Sequence, residues 1–153
     1  MTTPSERLAA LGLDLPPVAA PVAAYVPATR SGHQVLTSGQ LPTVAGQLVA
    51  TGKVGADVTA EQATDAARTA ALNALAAVAS LTCGLDGIAR IVKATVFVAS
   101  TPDFTAQPQV ANGASQLFVD VFGEAGQHVR SAVGVPVLPL DAPVEVELVV
   151  ELA

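Results

Sequence analysis

Val129-Arg130-Ser131-Ala132-Val133-Gly134-Val135 and Val144-Glu145-Val146-Glu147-Leu148-Val149-Val150-Glu151, joined through Leu138-Pro139-Leu140-Asp141, are two runs rich in β-branched residues around a turn containing Pro and Asp. This pattern predicts two strands of a β-hairpin. One arginine and a file of glutamates sit in them, although charged residues make up only 13% of the chain. Charge that scarce, placed within strands, marks the pair as a candidate site.

Toward the N-terminus, Gly123-Glu124-Ala125-Gly126-Gln127 reads as a loop. Gln109 to Val121 carries Ala111, Ala114, Leu117, Phe118 and Val121 at helical spacing. Ile88 to Val98 is the strongest strand signal in the chain and is long enough to be central. Ahead of it, Thr59 and Gln62 form a capping-box signature for a helix from Ala60 to Leu81. Ala63, Ala66, Ala67, Ala70, Leu75, Val78 and Leu81 give this helix its buried stripe, and Glu61, Asp65, Arg68 and Asn73 are assigned to its solvated face. Val22–Val26, His33–Leu41 and Gln47–Val49 read as a meander of three strands, with Thr29-Arg30-Ser31-Gly32 turning the chain between the first two. Ser5 to Gly12 reads as a short helix, and Pro16-Pro17 as an extended connector.

The expected organisation is an N-terminal helix and Pro-rich strap over 1–21, then a single domain over 22–153. The expected fold class is α+β, with one six-stranded mixed sheet, two helices on one of its faces and the short N-terminal helix. The other face would be bare. In a chain that is 51% hydrophobic, that face is expected to be covered by further copies of the same chain.

Composition removes several classes of function. The one cysteine, Cys83, forms no intrachain disulfide and is expected to be a buried, inert thiol. The first fifteen residues include Glu6, Arg7 and Asp14 and do not read as a signal peptide, and no apolar run is long enough for a membrane span, so a cytoplasmic protein without membrane contact is expected. Net charge is -6, the basic residues are scattered and aromatics are 3%, a combination that argues against a nucleic-acid partner. Ligand spacing for a metal is missing around His33 and His128, and no phosphate-binding glycine loop or nucleophile elbow occurs, so neither a metal nor a cofactor is expected.

That leaves the C-terminal strands. A turn centred between Val137 and Leu138 sets Arg130 opposite Glu145, with Ala132 and Gly134 beside Arg130 on the same face. A turn one or two residues later makes Glu147 the nearer partner. Such a pair is either an ordinary cross-strand ion pair or the floor of a pocket. Gly39, inside the second strand, requires either a bulge or the close approach of another group.

The segments Thr37-Ser38-Gly39-Gln40-Leu41-Pro42, Val92-Lys93-Ala94-Thr95-Val96-Phe97-Val98, Asp103-Phe104 and Arg130-Ser131 through Leu138-Pro139 to Val144-Glu145-Val146-Glu147 resemble the Rid (YjgF-type) family of enamine/imine deaminases. The resemblance runs from about Val22 to Glu151. It implies a chorismate-mutase-like domain assembled as a homotrimer with ligand pockets between subunits. It further implies that Arg130 clamps a substrate carboxylate and that Glu145 positions and activates water. Tyr25, Ser38, Gly39 and, after a one-residue shift, Asn112 would line the pocket, as would Ala132, which stands where many active members have cysteine. The activity implied is cofactor-independent hydrolysis of 2-imino acids to 2-oxo acids and ammonia. A trimer that binds or senses a small carboxylate without turnover is the alternative, and endoribonuclease action, also attached to the family, is disfavoured by the chain's charge.

Overall fold

The computed structural model describes residues 1–21 and 23–153. Helix α1, Pro4–Ala10, is closed by a capping box between Thr3 and Glu6, and its buried Leu8 fixes the N-terminal segment to the domain. Strands β1, Ala28–Ser31, and β2, Gln34–Thr37, form an antiparallel hairpin. The short strands β3, Thr43–Val44, and β4, Gln47–Leu48, pair only with each other. Helix α2, Ala60–Ala79, precedes β5, Ile88–Ala99, and helix α3, Gln107–Phe122, leads to β6, Val129–Val135, and β7, Val144–Leu152.

The main sheet has five strands in the order β1-β2-β7-β5-β6, and β3-β4 is a separate ribbon. The α+β class, the two helices layered on one face of a mixed sheet and the interior position of β5 agree with the reading of the sequence; the strand count becomes five plus two. The expected C-terminal hairpin is not formed. β6 runs parallel to β5, β7 runs antiparallel to β5, and β5 therefore lies between them. The cause is α3. A parallel pair needs a crossover connection, and β5, α3 and β6 are such a strand-helix-strand unit. Proximity in sequence is overridden by the pairing that buries β5 on both edges.

The first hairpin is also displaced. Of the expected strand Val22–Val26, Val22 lies outside the described residues, and Ala23 to Tyr25 form a tight bend in which the Tyr25 amide bonds the Ala23 carbonyl at 2.9 Å. Thr29, Arg30 and Ser31, read as a turn, are strand instead. The reversal occupies only Gly32 and His33, with Gly32 at φ 61°, the left-handed geometry that a two-residue hairpin requires.

Both long helices cover one face of the sheet. Alternation along β7 sends Val144, Val146, Leu148 and Val150 into the core, where Ala94, Val96 and Val98 of β5 and Val35 of β2 join them. Alanines at 63, 66, 67, 70, 71, 74 and 77 are buried along α2 and let it lie close to this surface. The Thr59–Gln62 capping box is present, with the Gln62 amide 3.1 Å from the Thr59 hydroxyl.

Two side chains depart from expectation. Asn73 is buried rather than solvated, and its Nδ2 donates to the carbonyls of Leu41 and Thr43 at 2.9 and 3.0 Å, tying the β3 approach to α2. A buried amide is stable there because those partners replace water. Cys83 is exposed, because α2 ends at Ala79 and the turn that follows runs along the surface.

The two helices meet at Gly113, where a β-carbon would overlap the backbone carbonyl of Thr64. Backbone cannot step aside as a side-chain tip can. Gly113→Ala is therefore expected to destabilise the fold by about 3 kcal/mol through overpacking, read as a lowered melting temperature; an unchanged one would show that the helices separate freely.

Candidate functional site

The arginine side begins with β6. Arg130 is aligned with Ala94 of β5, whose side chain faces the helices, so Arg130 points toward α3. There its NH1 nitrogen donates to Asn112 Oδ1 at 2.8 Å and to Ser115 Oγ at 3.2 Å. Asn112 and Ser115 are three residues apart and so share one helical face. Ser115 Oγ is also 2.9 Å from His128 Nε2, and His128 Nδ1 is 2.6 Å from the Gly126 carbonyl. Ala132 and Gly134 follow Arg130 on the same face, as strand alternation predicts.

The glutamate side lies across the sheet. Glu145 is aligned with Phe97 and Glu147 with Thr95, both on the face away from the helices. Arg130 and Glu145 are therefore on opposite faces with β5 between their strands, and neither register considered from sequence, Glu145 or Glu147, sets a glutamate opposite Arg130. The ion pair that does form across these strands is Arg90 with Glu151, at 2.9 Å.

Gly39 belongs to the glutamate side. A β-carbon on it would overlap the Glu145 carboxylate and lie 2.9 Å from Glu145 Cγ. β2 ends at Thr37, so Gly39 lies just past the strand in which the sequence placed it, and of the two explanations offered for it close approach applies. Ser38 next to it donates its hydroxyl to the Val26 carbonyl at 2.6 Å, and Tyr25, Val26, Leu36 and Ser38 border one shallow groove. Leu36, Lys93, Thr95 and Glu147 border another on the same open face. The seven residues named from sequence thus fall into two groups within one chain: Tyr25, Ser38, Gly39 and Glu145, and separately Asn112, Arg130 and Ala132.

Burial raises the Glu145 carboxyl above the usual carboxylate range, and the like charge of Glu147 raises it further. A folded-state value above the unfolded one means that the native chain holds the proton more tightly. Its stabilising contribution is complete below the unfolded value and is lost as pH rises through the raised one. Glu145→Gln, which cannot ionise, is consequently expected to be more stable than the parent at neutral pH and to lose that advantage near pH 4. Paired denaturation curves at the two pH values check this; a pH-independent difference contradicts it.

Ser115 and His128 are not among the site residues read from the sequence, where the histidines are weighed only as metal ligands. A signal was available. His128 stands two residues before Arg130 and so reaches the same face, while Asn112 and Ser115 have helical spacing. Among the described residues, no cluster of three or more His, Cys, Asp or Glu could hold a metal ion, and no helix is long and apolar enough to cross a membrane.

Residues 5–152 match the family described as "YjgF/chorismate_mutase-like, putative endoribonuclease". Protein TCP17 of Trypanosoma cruzi is 47% identical over 151 residues, covering 97% of this chain and 93% of that protein. The crystal structure of Atu1372 from Agrobacterium tumefaciens, a protein described there as of unknown function, superimposes with a TM-score of 0.91 at 45% identity, over 98% of this chain and 92% of that one. The structure of E. coli TdcF with bound serine superimposes with a TM-score of 0.66 at 28% identity, over 91% of this chain and 94% of that one.

Proposed function

The chain belongs to the Rid (YjgF-type), chorismate-mutase-like family, and we propose that it hydrolyses reactive 2-imino acids to 2-oxo acids and ammonia at a site shared between subunits. The observation that carries this reading is Arg130. Its guanidinium is anchored by Asn112 and Ser115 through one nitrogen and keeps its remaining donors for a ligand. A planar fork of donors suits a planar carboxylate.

In this reading the imine carbon next to that carboxylate is attacked by water. Glu145, as carboxylate, accepts the water proton while the new C–O bond forms. That proton passes to the imine nitrogen, giving the carbinolamine; its hydroxyl then gives up its proton, by way of Glu145, to the amine nitrogen, the C–N bond breaks as the C=O bond forms, and ammonia leaves. No electrons are exchanged, so the chemistry calls for no redox partner.

Because Arg130 and Glu145 occupy opposite faces of one sheet, a site using both takes Arg130 from one copy and Glu145 of the partner subunit. Support for such an assembly comes from the apolar side chains left exposed on the open face: Leu36, Val129 and Val133 are 38, 65 and 43% accessible. Assembly as a homotrimer is the form this reading takes.

The test is ammonia release from 2-iminopropanoate generated in place by a serine dehydratase, timed against the spontaneous rate. Release above background is expected. Rates no faster than buffer on several imines would end the reading. A second reading, binding of a small carboxylate without turnover, is favoured by the serine bound to TdcF. Thermal stabilisation by 2-oxo or amino acids without catalysis would select it.

A further inference from the structure

His128 and Ser115 sit behind Arg130, and the directions of their hydrogen bonds follow from what each atom is able to do. The Gly126 carbonyl only accepts, so His128 Nδ1, 2.6 Å away, carries the proton. In the neutral ring Nε2 then only accepts. Ser115 Oγ, 2.9 Å from it, must give its hydrogen to the imidazole, and this turns the oxygen lone pairs toward Arg130 NH1 at 3.2 Å. The opposite tautomer would set a nitrogen lone pair against the Gly126 carbonyl oxygen at 2.6 Å, with no hydrogen between them.

The surroundings hold this chain of bonds in place. The Phe118 ring meets His128 edge-on, with centroids 5.4 Å apart and planes at 83°. At Gly126 a β-carbon would overlap the Phe118 carbonyl, so the backbone that supplies the accepting oxygen is packed directly on α3. Asn112 Oδ1, 2.8 Å from NH1, takes the other hydrogen of that nitrogen.

We propose that Ser115 and His128 are positioning residues that pin NH1 of Arg130 and so present the Nε/NH2 edge of the guanidinium to a ligand carboxylate. With both NH1 hydrogens engaged, the end-on edge has no donor pair left. A carboxylate then meets Arg130 side-on, and specificity falls on ligands whose reacting carbon follows that approach. The identity of the ligand rests on the deaminase reading above; the pinning itself does not.

The first test needs no ligand and no substitution. Long-range nitrogen–proton NMR of the ligand-free protein at neutral pH is expected to show the His128 proton on Nδ1, and a proton on Nε2 instead would overturn the proposal. The second follows the Arg130 guanidinium by NMR. Resolved NH1 signals are expected in the parent and in His128→Gln, which keeps an acceptor near Nε2, with collapse to an averaged signal in His128→Phe, which keeps only the shape. Equal ordering in His128→Phe would also overturn it.

The third measures 2-oxobutanoate binding. His128→Phe is expected to weaken it about tenfold, the loss of roughly one bond to a charged group, while His128→Gln restores it and neither changes the residual binding of Arg130→Ala. An equal loss in the Arg130→Ala background would reveal a general structural role and overturn the proposal. Binding of 2-oxobutanoate without any ammonia release from imines would remove the deaminase reading and leave the positioning intact. An Nε2-protonated His128 in an active deaminase would do the reverse.

Discussion

Arg130→Ala is expected to lower kcat/KM for 2-iminopropanoate hydrolysis by at least about 100-fold, equivalent to two charge-assisted hydrogen bonds at roughly 1.5 kcal/mol each. The loss should appear mainly in KM, because the guanidinium contacts the carboxylate before and during the reaction alike. Arg130→Lys should recover little. An ammonium is a point charge without the fork, and it lacks a second nitrogen to face the ligand while one nitrogen donates to Asn112 Oδ1 and Ser115 Oγ. Steady-state kinetics on freshly generated imine provide the measurement, with the melting temperature as control. Arg130 is only partly buried at the sheet edge, so a parental rate in Arg130→Ala would remove the arginine from the site.

The second large effect is expected in kcat. Glu145→Gln keeps the size of the side chain and removes its basicity, and loss of a positioned general base costs on the order of 100- to 10,000-fold. KM should stay near the parental value. Gly39→Ala is expected to produce a similar loss by a different route, since the new methyl would occupy the place of the Glu145 carboxylate. If Glu145→Gln retains parental kcat, water is activated elsewhere and the close packing of Gly39 on Glu145 is structural only.

Much of the architecture was legible because it is written in local patterns. The alanine stripe of α2, its Thr59–Gln62 cap and the long apolar run of β5 each announce their element without outside information. Strand pairing is not written locally. Val129–Val135 and Val144–Glu151 have the composition of a hairpin, but their partners were decided by β5, which gains two neighbours when α3 carries the chain across to a parallel β6. For the same reason Arg130 and Glu145 were each legible as candidates while their relation was not: in sequence they seemed to face one another, and in the fold they back onto opposite faces.

Asn73 shows the other limit. Its polarity assigned it to the solvated face with Glu61 and Asp65, although it stands seven residues after Ala66 and so on the buried side of α2; the return of the Leu41–Thr43 backbone supplies the partners that let its amide stay there. The same holds for Ser115 and His128, whose meaning comes from α3 lying against the end of β6. Gly39 was noticed as out of place in the sequence, yet only the position of Glu145 explains it.

The claim that one site is built from two copies is tested most directly by complementation between two impaired variants. Arg130→Ala and Glu145→Gln chains, each strongly impaired alone at substrate concentrations below the parental KM, are co-expressed or unfolded and reassembled together, and ammonia release is measured at such a concentration. In a cyclic assembly that takes Arg130 from one copy and Glu145 from the next, random mixing leaves both native residues at roughly one site in four. Recovery of about that fraction of the parental rate is predicted. If the mixture is as inactive as its two components although the chains are shown to share oligomers, Arg130 and Glu145 do not meet across a subunit boundary, and the shared-site account is wrong.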